Sequence, residues 1–145
     1  MSDRKDEKDM ELSDVRLNEI MEGGTVSIPI GEKNVLVLGD PERRELCILA
    51  AIGVPPEEGA EAFDRQLLEE DFQLAASGRK FLSFDSESGK YVIGETVSSV
   101  GLDDEALRGL VTALDGMRDA WRDKLADIRP ANQDGLASDE GFIRG

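Results

Sequence analysis

The sequence contains few of the residue types that catalysis usually requires. Histidine is absent from all 145 residues, and Cys47 is the only cysteine. Without histidine the chain lacks the commonest general base, the Ser–His and Cys–His nucleophile pairs, and the ligands of nearly all zinc sites. Cys47 lies within an apolar run, where a small buried hydrophobic side chain is its more frequent role. A lone cysteine forms no internal disulfide, which is typical of proteins in a reducing cytosol.

Carboxylates are abundant, but their spacing does not indicate a site. Asp85, Glu87 and Gly89 partly resemble a calcium loop, yet the glycine falls one place early for an EF-hand. Thr96 occupies the position where such a loop needs a bidentate glutamate, so a polar hairpin loop explains the segment better. The acidic residues 69–71 fit the solvated flank of a helix. We therefore expect no catalytic residue, no cofactor and no metal site, and a carboxylate enzyme with a bound divalent ion remains a minor alternative.

The charge balance narrows the classes of partner. The net charge is −15, from 32 acidic and 17 basic residues. This charge disfavours binding to nucleic acid phosphates and to anionic lipid surfaces, and it favours binding to basic partners. No apolar run approaches the roughly 20 residues that a membrane span requires. The first nine residues are almost entirely charged and lack the apolar region of a signal peptide. These features predict a cytoplasmic protein that binds neither nucleic acid nor membrane.

The hydrophobic pattern predicts a single α+β domain with an antiparallel sheet, in the order α-β-β-β-α-β-β-α. Residues 1–9 are expected to be a disordered N-terminus, 10–128 the folded domain and 129–145 a flexible C-terminal tail. The predicted helices cover residues 10–21, about 57–77 and 103–128, and the predicted strands cover residues 25–30, 35–38, 45–52, 80–84 and 91–100. Asp103 is a good N-cap for the last helix. Its stripe around Trp121 fits core packing better than a ligand pocket.

Two of these segments carry candidate interaction surfaces. The strand 25–30 alternates apolar and polar residues, and Pro29 favours an edge position because proline cannot donate to a β ladder. The strand 45–52 is continuously apolar and is expected to be central. The middle helix has more large apolar residues than a small sheet can cover. This surplus predicts a homodimer interface formed by Phe63, Leu67, Leu68 and Phe72.

Several short motifs resemble those of the type III secretion chaperones of the Tir chaperone (CesT-like) family. The segment Leu-Leu-Glu-Glu-Asp-Phe at 67–72 is similar to the family's pattern on its middle helix, although Asp71 stands where the family often has asparagine. Residues 81–85 and 91–94 resemble the hairpin that follows. Residues 100–103 and the helix that continues to 121–125, with its tryptophan, resemble the family's final helix. The resemblance extends over roughly residues 10–128.

The resemblance implies a specific role. Chaperones of this family are homodimers that bind the N-terminal segment of a secreted effector in the cytosol and keep it soluble and competent for export. An extended segment can add a strand to a sheet edge and place alternate side chains in apolar pockets. The candidate effector-binding residues lie on the first helix and on the expected edge strand: Leu17, Ile20, Met21, Val26, Ile28 and Ile30. A regulatory adaptor of the same fold (YbjN-like), without a secretion partner, is the alternative.

Overall fold

The structure is a computed structural model that describes residues 8–128, apart from the side chain of Ser77. The predicted N-terminal segment 1–7 and the predicted tail 129–145 lie outside the described residues. Lys8 and Asp9 form a short strand instead of belonging to a disordered N-terminus.

The chain forms six strands and three α-helices. The strands are β1 (Lys8–Asp9), β2 (Gly24–Ile30), β3 (Lys33–Asp40), β4 (Glu45–Gly53), β5 (Lys80–Asp85) and β6 (Lys90–Ser98). The helices are α1 (Leu17–Met21), α2 (Ala60–Ser77) and α3 (Asp104–Ala126), and a 3-10 helix (Leu12–Asp14) precedes α1. The predicted α+β class and element order are confirmed, with β1 as an additional strand.

The prediction of one continuous helix over residues 10–21 was wrong. Val15 and Arg16 adopt extended backbone conformations that separate the 3-10 helix from α1. This break buries Val15 completely in the core. The Leu17 N–H at the start of α1 donates a 2.7 Å hydrogen bond to the Asp104 carboxylate, so that α3 supplies an acceptor for this free helix end. The local pattern could not reveal a break that is stabilised by a residue 87 positions away.

The sheet has the strand order β1-β2-β3-β4-β6-β5, and every neighbouring pair is antiparallel except β1 and β2. The central position predicted for the strand 45–52 is confirmed, because β4 lies between β3 and β6. Alternate residues of each strand face opposite sides of the sheet. One side, the inner face, carries Ile28, Val35, Ile48 and Ile93, all of which are fully buried.

The helices cover this inner face. Leu107, Val111, Leu114 and Trp121 of α3 are buried in the same apolar cluster as the inner-face residues. The Trp121 stripe is therefore core, as the simpler interpretation held. The Asp103 carboxylate accepts a 2.7 Å hydrogen bond from the Ala106 N–H, so its predicted role as N-cap of α3 is confirmed.

An arginine joins α3 to the beginning of β3. Arg118 is only 1% exposed, and its guanidinium donates to the Asn34 carbonyl at 3.1 Å, to the Asp119 carboxylate at 3.2 Å and to Asp115. Lys33 of β3 donates a 2.6 Å hydrogen bond to the same Asp119 carboxylate. The hydrogen bond from Lys33 holds the pKa of Asp119 below its ordinary value. These contacts satisfy a charge that would otherwise be costly to bury.

Gly39 allows α1 to pack closely on β3. A Cβ atom at this position would clash with the Ile20 carbonyl, whose carbon would lie 2.9 Å away. We predict that Gly39→Ala lowers the free energy of unfolding by about 1–3 kcal/mol, because the backbone of α1 must shift to relieve the overlap. Urea unfolding monitored by Trp121 fluorescence measures this loss.

Gly116→Ala is the matched control. Gly116 is exposed on α3 and has no atom within 4 Å of an added Cβ, so alanine should leave stability unchanged or raise it by up to about 1 kcal/mol through helix propensity. Equal unfolding midpoints for the two variants would contradict the close packing of α1 at Gly39.

Candidate functional site

The first exposed apolar surface lies on α2. Leu68 and Phe72, one helical turn apart, are 65% and 75% exposed, and Phe84 of β5 is 48% exposed. We call these three residues the α2 surface. Side chains four positions apart share one side of a helix, so Leu68 and Phe72 form one continuous patch. Large exposed apolar residues that cluster in this way are typical of an interaction surface.

The four residues predicted for a dimer interface therefore divide into two pairs. Leu68 and Phe72 are exposed, whereas Phe63 and Leu67 are buried inside the protomer. The Phe63 ring lies 4.8 Å from the Tyr91 ring and 5.8 Å from the Trp121 ring, measured between centroids. Phe63 and Leu67 thus attach α2 to the sheet, and Leu68 and Phe72 are the pair that a second protomer can reach.

A groove of about 560 Å³ separates α2 from the β5–β6 hairpin. Its lining combines apolar side chains with two carboxylates and comprises Pro55, Ala60, Asp64, Leu67, Leu68, Asp71, Leu82, Ser83, Phe84 and Tyr91. The Tyr91 hydroxyl donates a 2.5 Å hydrogen bond to Asp64. Burial, and then this contact with Asp64, raises the pKa of Tyr91 well above its ordinary value. Tyr91 therefore stays protonated and acts as a hydrogen-bond donor, not as a base.

Asp71 positions α2 against the outermost strand of the sheet. Its carboxylate accepts a 2.9 Å hydrogen bond from the Leu82 backbone N–H of β5. β5 is the last strand of the sheet, so this N–H has no strand partner on that side. The carboxylate satisfies a main-chain donor that would otherwise be free at the sheet edge.

The second apolar surface is the face of the sheet opposite the helices. Alternate residues of β3, β4, β5 and β6 point to this side, and the register places them beside one another. We define the outer face by its partly exposed apolar residues, which are Leu36, Leu38, Leu49, Ala51, Phe81 and Val92. Within residues 8–128, the helices pack against the inner face and leave this side uncovered.

The outer face contains a shallow recess of about 350 Å³. Its lining is apolar at the centre and polar at the rim, and comprises Asn34, Leu36, Leu49, Ala51, Phe81, Ser83, Phe84, Asp85, Ser88, Lys90 and Val92. Gly94 shapes it, because a Cβ atom there would overlap the Phe81 ring and lie 2.7 Å from the Leu49 Cδ2. The missing side chain lets Phe81 and Leu49 lie across β6.

Cys47 also points to the outer face, where it is partly buried. Burial raises the pKa of its thiol, and a hydrogen bond with Thr96 opposes this shift less strongly. The thiol therefore stays protonated near neutral pH, although Cys47 is only partly buried where the sequence predicted a buried hydrophobic side chain.

The residues predicted to bind an effector lie mostly inside the protein. Ile20, Val26 and Ile28 are buried in the core, whereas Leu17, Met21 and Ile30 are partly buried and pack against it. The six therefore do not form one exposed pocket, and an effector-binding role for them stays a prediction. The sequence does indicate the outer face, because β3 and β4 are apolar on both sides although only one side is covered.

The expected exposed edge of β2 is partly covered. The strand β1 runs parallel to β2, with Lys8 opposite Val26 and Asp9 opposite Ser27. The prediction that β2 is an edge strand was therefore wrong at its centre. Residues 8–128 contain no cluster of three or more His, Cys, Asp or Glu side chains that could hold a metal ion. None of the described helices is both long enough and apolar enough to cross a membrane.

The sequence and the fold both match one protein family. Residues 14–122 match the model of the Tir chaperone protein (CesT) family. This chain belongs to the Tir chaperone (CesT) family. The resemblance carried by the motifs on α2, the β5–β6 hairpin and α3 is thereby confirmed. No curated protein matches the sequence.

Solved structures share the fold of this CesT family member. A chain of the ExsC–ExsE complex is 22% identical with a TM-score of 0.63, and the alignment covers 72% of this chain and 77% of that chain. A chain of the HopA1–SchA chaperone–effector complex is 18% identical with a TM-score of 0.56, covering 72% and 79%. A chain of the ExoU–SpcU complex from the type III secretion system of Pseudomonas aeruginosa is 17% identical with a TM-score of 0.54, covering 70% and 82%. At these identities the likeness establishes the fold.

The family often has asparagine where this chain has Asp71, and the structure predicts how well the exchange is tolerated. Asp71→Asn keeps an oxygen that can accept from the Leu82 N–H, so stability should change little. Asp71→Ala leaves the N–H without this partner and should cost about 1–2 kcal/mol. Urea unfolding of the three proteins measures the difference, and equal losses for both variants would contradict the role assigned to the hydrogen bond.

Proposed function

We propose that this chain is a cytosolic chaperone of type III secretion that binds the N-terminal segment of an effector as a homodimer and performs no catalysis. Membership in a chaperone family supports the function. The observation that carries the proposal is the apolar outer face, which the helices of the protomer leave uncovered. Chains of similar fold occur in the HopA1–SchA chaperone–effector complex and in the ExoU–SpcU complex, which is consistent with a partner of this kind.

The outer face suits a segment that lacks a fold of its own. It is broad, shallow and apolar, with a polar rim that includes Asp85 and Lys90. A folded domain needs shape complementarity over a large area, whereas an extended chain can follow the surface and bury one side chain at a time. Binding would remove apolar side chains of both proteins from water and keep the partner from aggregating. The charge of −15 keeps the resulting complex soluble.

The α2 surface supplies the proposed dimer contact. Phe72 and Leu68 form an apolar patch beside an open groove, and aromatic side chains in such patches commonly dominate binding energy. Since the same patch on two protomers can pack together about a two-fold axis, a symmetric dimer buries it without any further component.

The introduction of charge at the α2 surface tests the dimer. The double variant Leu68→Glu, Phe72→Glu should be monomeric and folded, because both side chains are exposed in the protomer and the four glutamates would repel across the two-fold axis. Size-exclusion chromatography with light scattering gives the mass. The control is Glu70→Lys, a charge reversal at an exposed residue of the same helix that does not line the depression formed by Leu68 and Phe72, and it should remain dimeric. A dimer that survives the double substitution would place the interface elsewhere.

A charge on the outer face tests partner binding. We expect Val92→Asp to abolish capture of the effector while the protein stays folded and dimeric, because Val92 lines the recess between Ala51 and Ser83 and is only partly buried. The tagged protein is used to capture partners from native lysate of the source cells, with identification by mass spectrometry.

The matched control is Ala113→Asp, which adds the same charge on the exposed side of α3. Full capture by both variants would remove the outer face as the binding surface. Capture of a non-secreted regulator by the unsubstituted chain would favour an adaptor over a secretion chaperone.

A further inference from the structure

The strand β1 pairs with the edge of β2 that faces away from β3, and it makes very few contacts there. It is two residues long, and both of its side chains are exposed. The Met10 N–H, directly after β1, donates a 2.9 Å hydrogen bond to the Ser27 carbonyl of β2. Residues 2–9 contain no apolar side chain. The pairing of β1 therefore rests on backbone hydrogen bonds, and from residue 8 onward the first side chain that packs against the core belongs to Met10.

The geometry of β2 shows how much of its edge can accept a strand. The Ser27 carbonyl points toward β1, away from β3, and backbone groups of alternate residues point to the same side of a strand. The backbone groups of Thr25 and Pro29 therefore point away from β3 as well. Pro29 has no N–H, which costs nothing in the protomer because this position lies beyond β1. The edge of β2 that can pair with another strand thus extends for a residue or more beyond β1 in each direction.

We propose that β1 is a resident strand that an extended partner segment displaces to pair with β2. The inference rests on the proposed function and adds a second contact for the partner, at the edge of β2, to which β1 controls access. An incoming strand of alternating apolar residues would form the same backbone hydrogen bonds as β1 and would also bury side chains, which Lys8 and Asp9 do not. The net charge of −15 favours a neutral or basic segment.

The resident strand sets a threshold for binding. A partner that must displace β1 binds with its intrinsic affinity multiplied by the fraction of molecules in which β2 is open, so a protein that is open about one tenth of the time binds about tenfold more weakly. Segments with little apolar content would gain too little to displace β1. The resident strand β1 therefore selects partner strands that bury side chains. It also keeps the backbone groups of β2 from pairing with other copies of the chain.

A reversible cross-link tests the displacement. Asp9 and Ser27 are directly opposite in the β1–β2 register, at a separation that a disulfide can bridge. The full-length variant Asp9→Cys, Ser27→Cys, Cys47→Ala is compared in its oxidised and reduced forms, so that every substitution is present in both. The probe is a fluorescein-labelled peptide of four threonine–valine repeats flanked by lysines, and binding is measured by fluorescence anisotropy. We expect the oxidised form to bind at least about tenfold more weakly than the reduced form.

A second variant opens β2 without a cross-link. Met10→Pro removes the N–H that donates to Ser27, and it should bind the peptide more tightly than the unsubstituted chain. Met10→Ala is the control, since it removes the same side chain from the core but retains the N–H that donates to Ser27. Equal binding by oxidised and reduced forms, or no binding by any form, would overturn the inference. Capture of a secreted effector by the oxidised form would keep the chaperone function and remove only the role of β1.

Discussion

The structure depends on a sheet that is apolar on both faces but covered by helices on one. In a two-layer α+β protein, a strand usually alternates apolar residues toward the helices with polar residues toward water. β4 does not, because Leu46, Ile48 and Ala50 face α3 while Leu49 and Ala51 face the other side. Within residues 8–128 the helices pack against the inner face only, and the exposed patch on α2, Leu68 and Phe72, does not cover the other side. The protomer therefore folds with an apolar surface left over, and that surplus explains why it would bind a partner.

Much of the fold follows from local signals in the sequence. The alternation in β2, the N-cap Asp103 and the apolar stripe of α3 each specify one element without information from elsewhere in the chain. The continuous apolar run of β4 correctly indicated a central strand. It did not reveal that only one face of β4 is covered, because the packing of the helices, and not the strand itself, decides whether a face is covered.

Other features could not be derived because they depend on residues distant in sequence. α1 begins at Leu17, whose N–H donates to the carboxylate of Asp104 from α3. The sequence did not distinguish Arg118 from the other charged residues of α3, because its partner, the Asn34 carbonyl, is brought close only by the fold. The distinction between core and surface on α2 also required the sheet. Leu67 and Leu68 are adjacent and chemically identical, yet one is buried and the other is 65% exposed.

The two apolar surfaces meet at β5, which gives the proposed dimer a functional consequence. Phe84 lines both the groove beside α2 and the recess of the outer face. A dimer formed through α2 would therefore bring the outer faces of both protomers to the margin of the interface. One extended segment could then follow the outer face of the first protomer, cross at Phe84 and continue on the second. Binding across both copies would join two weak contacts into one, because the second contact forms at a high effective concentration. This arrangement would bind a long unfolded segment more tightly than a short one and would tie partner binding to dimer formation.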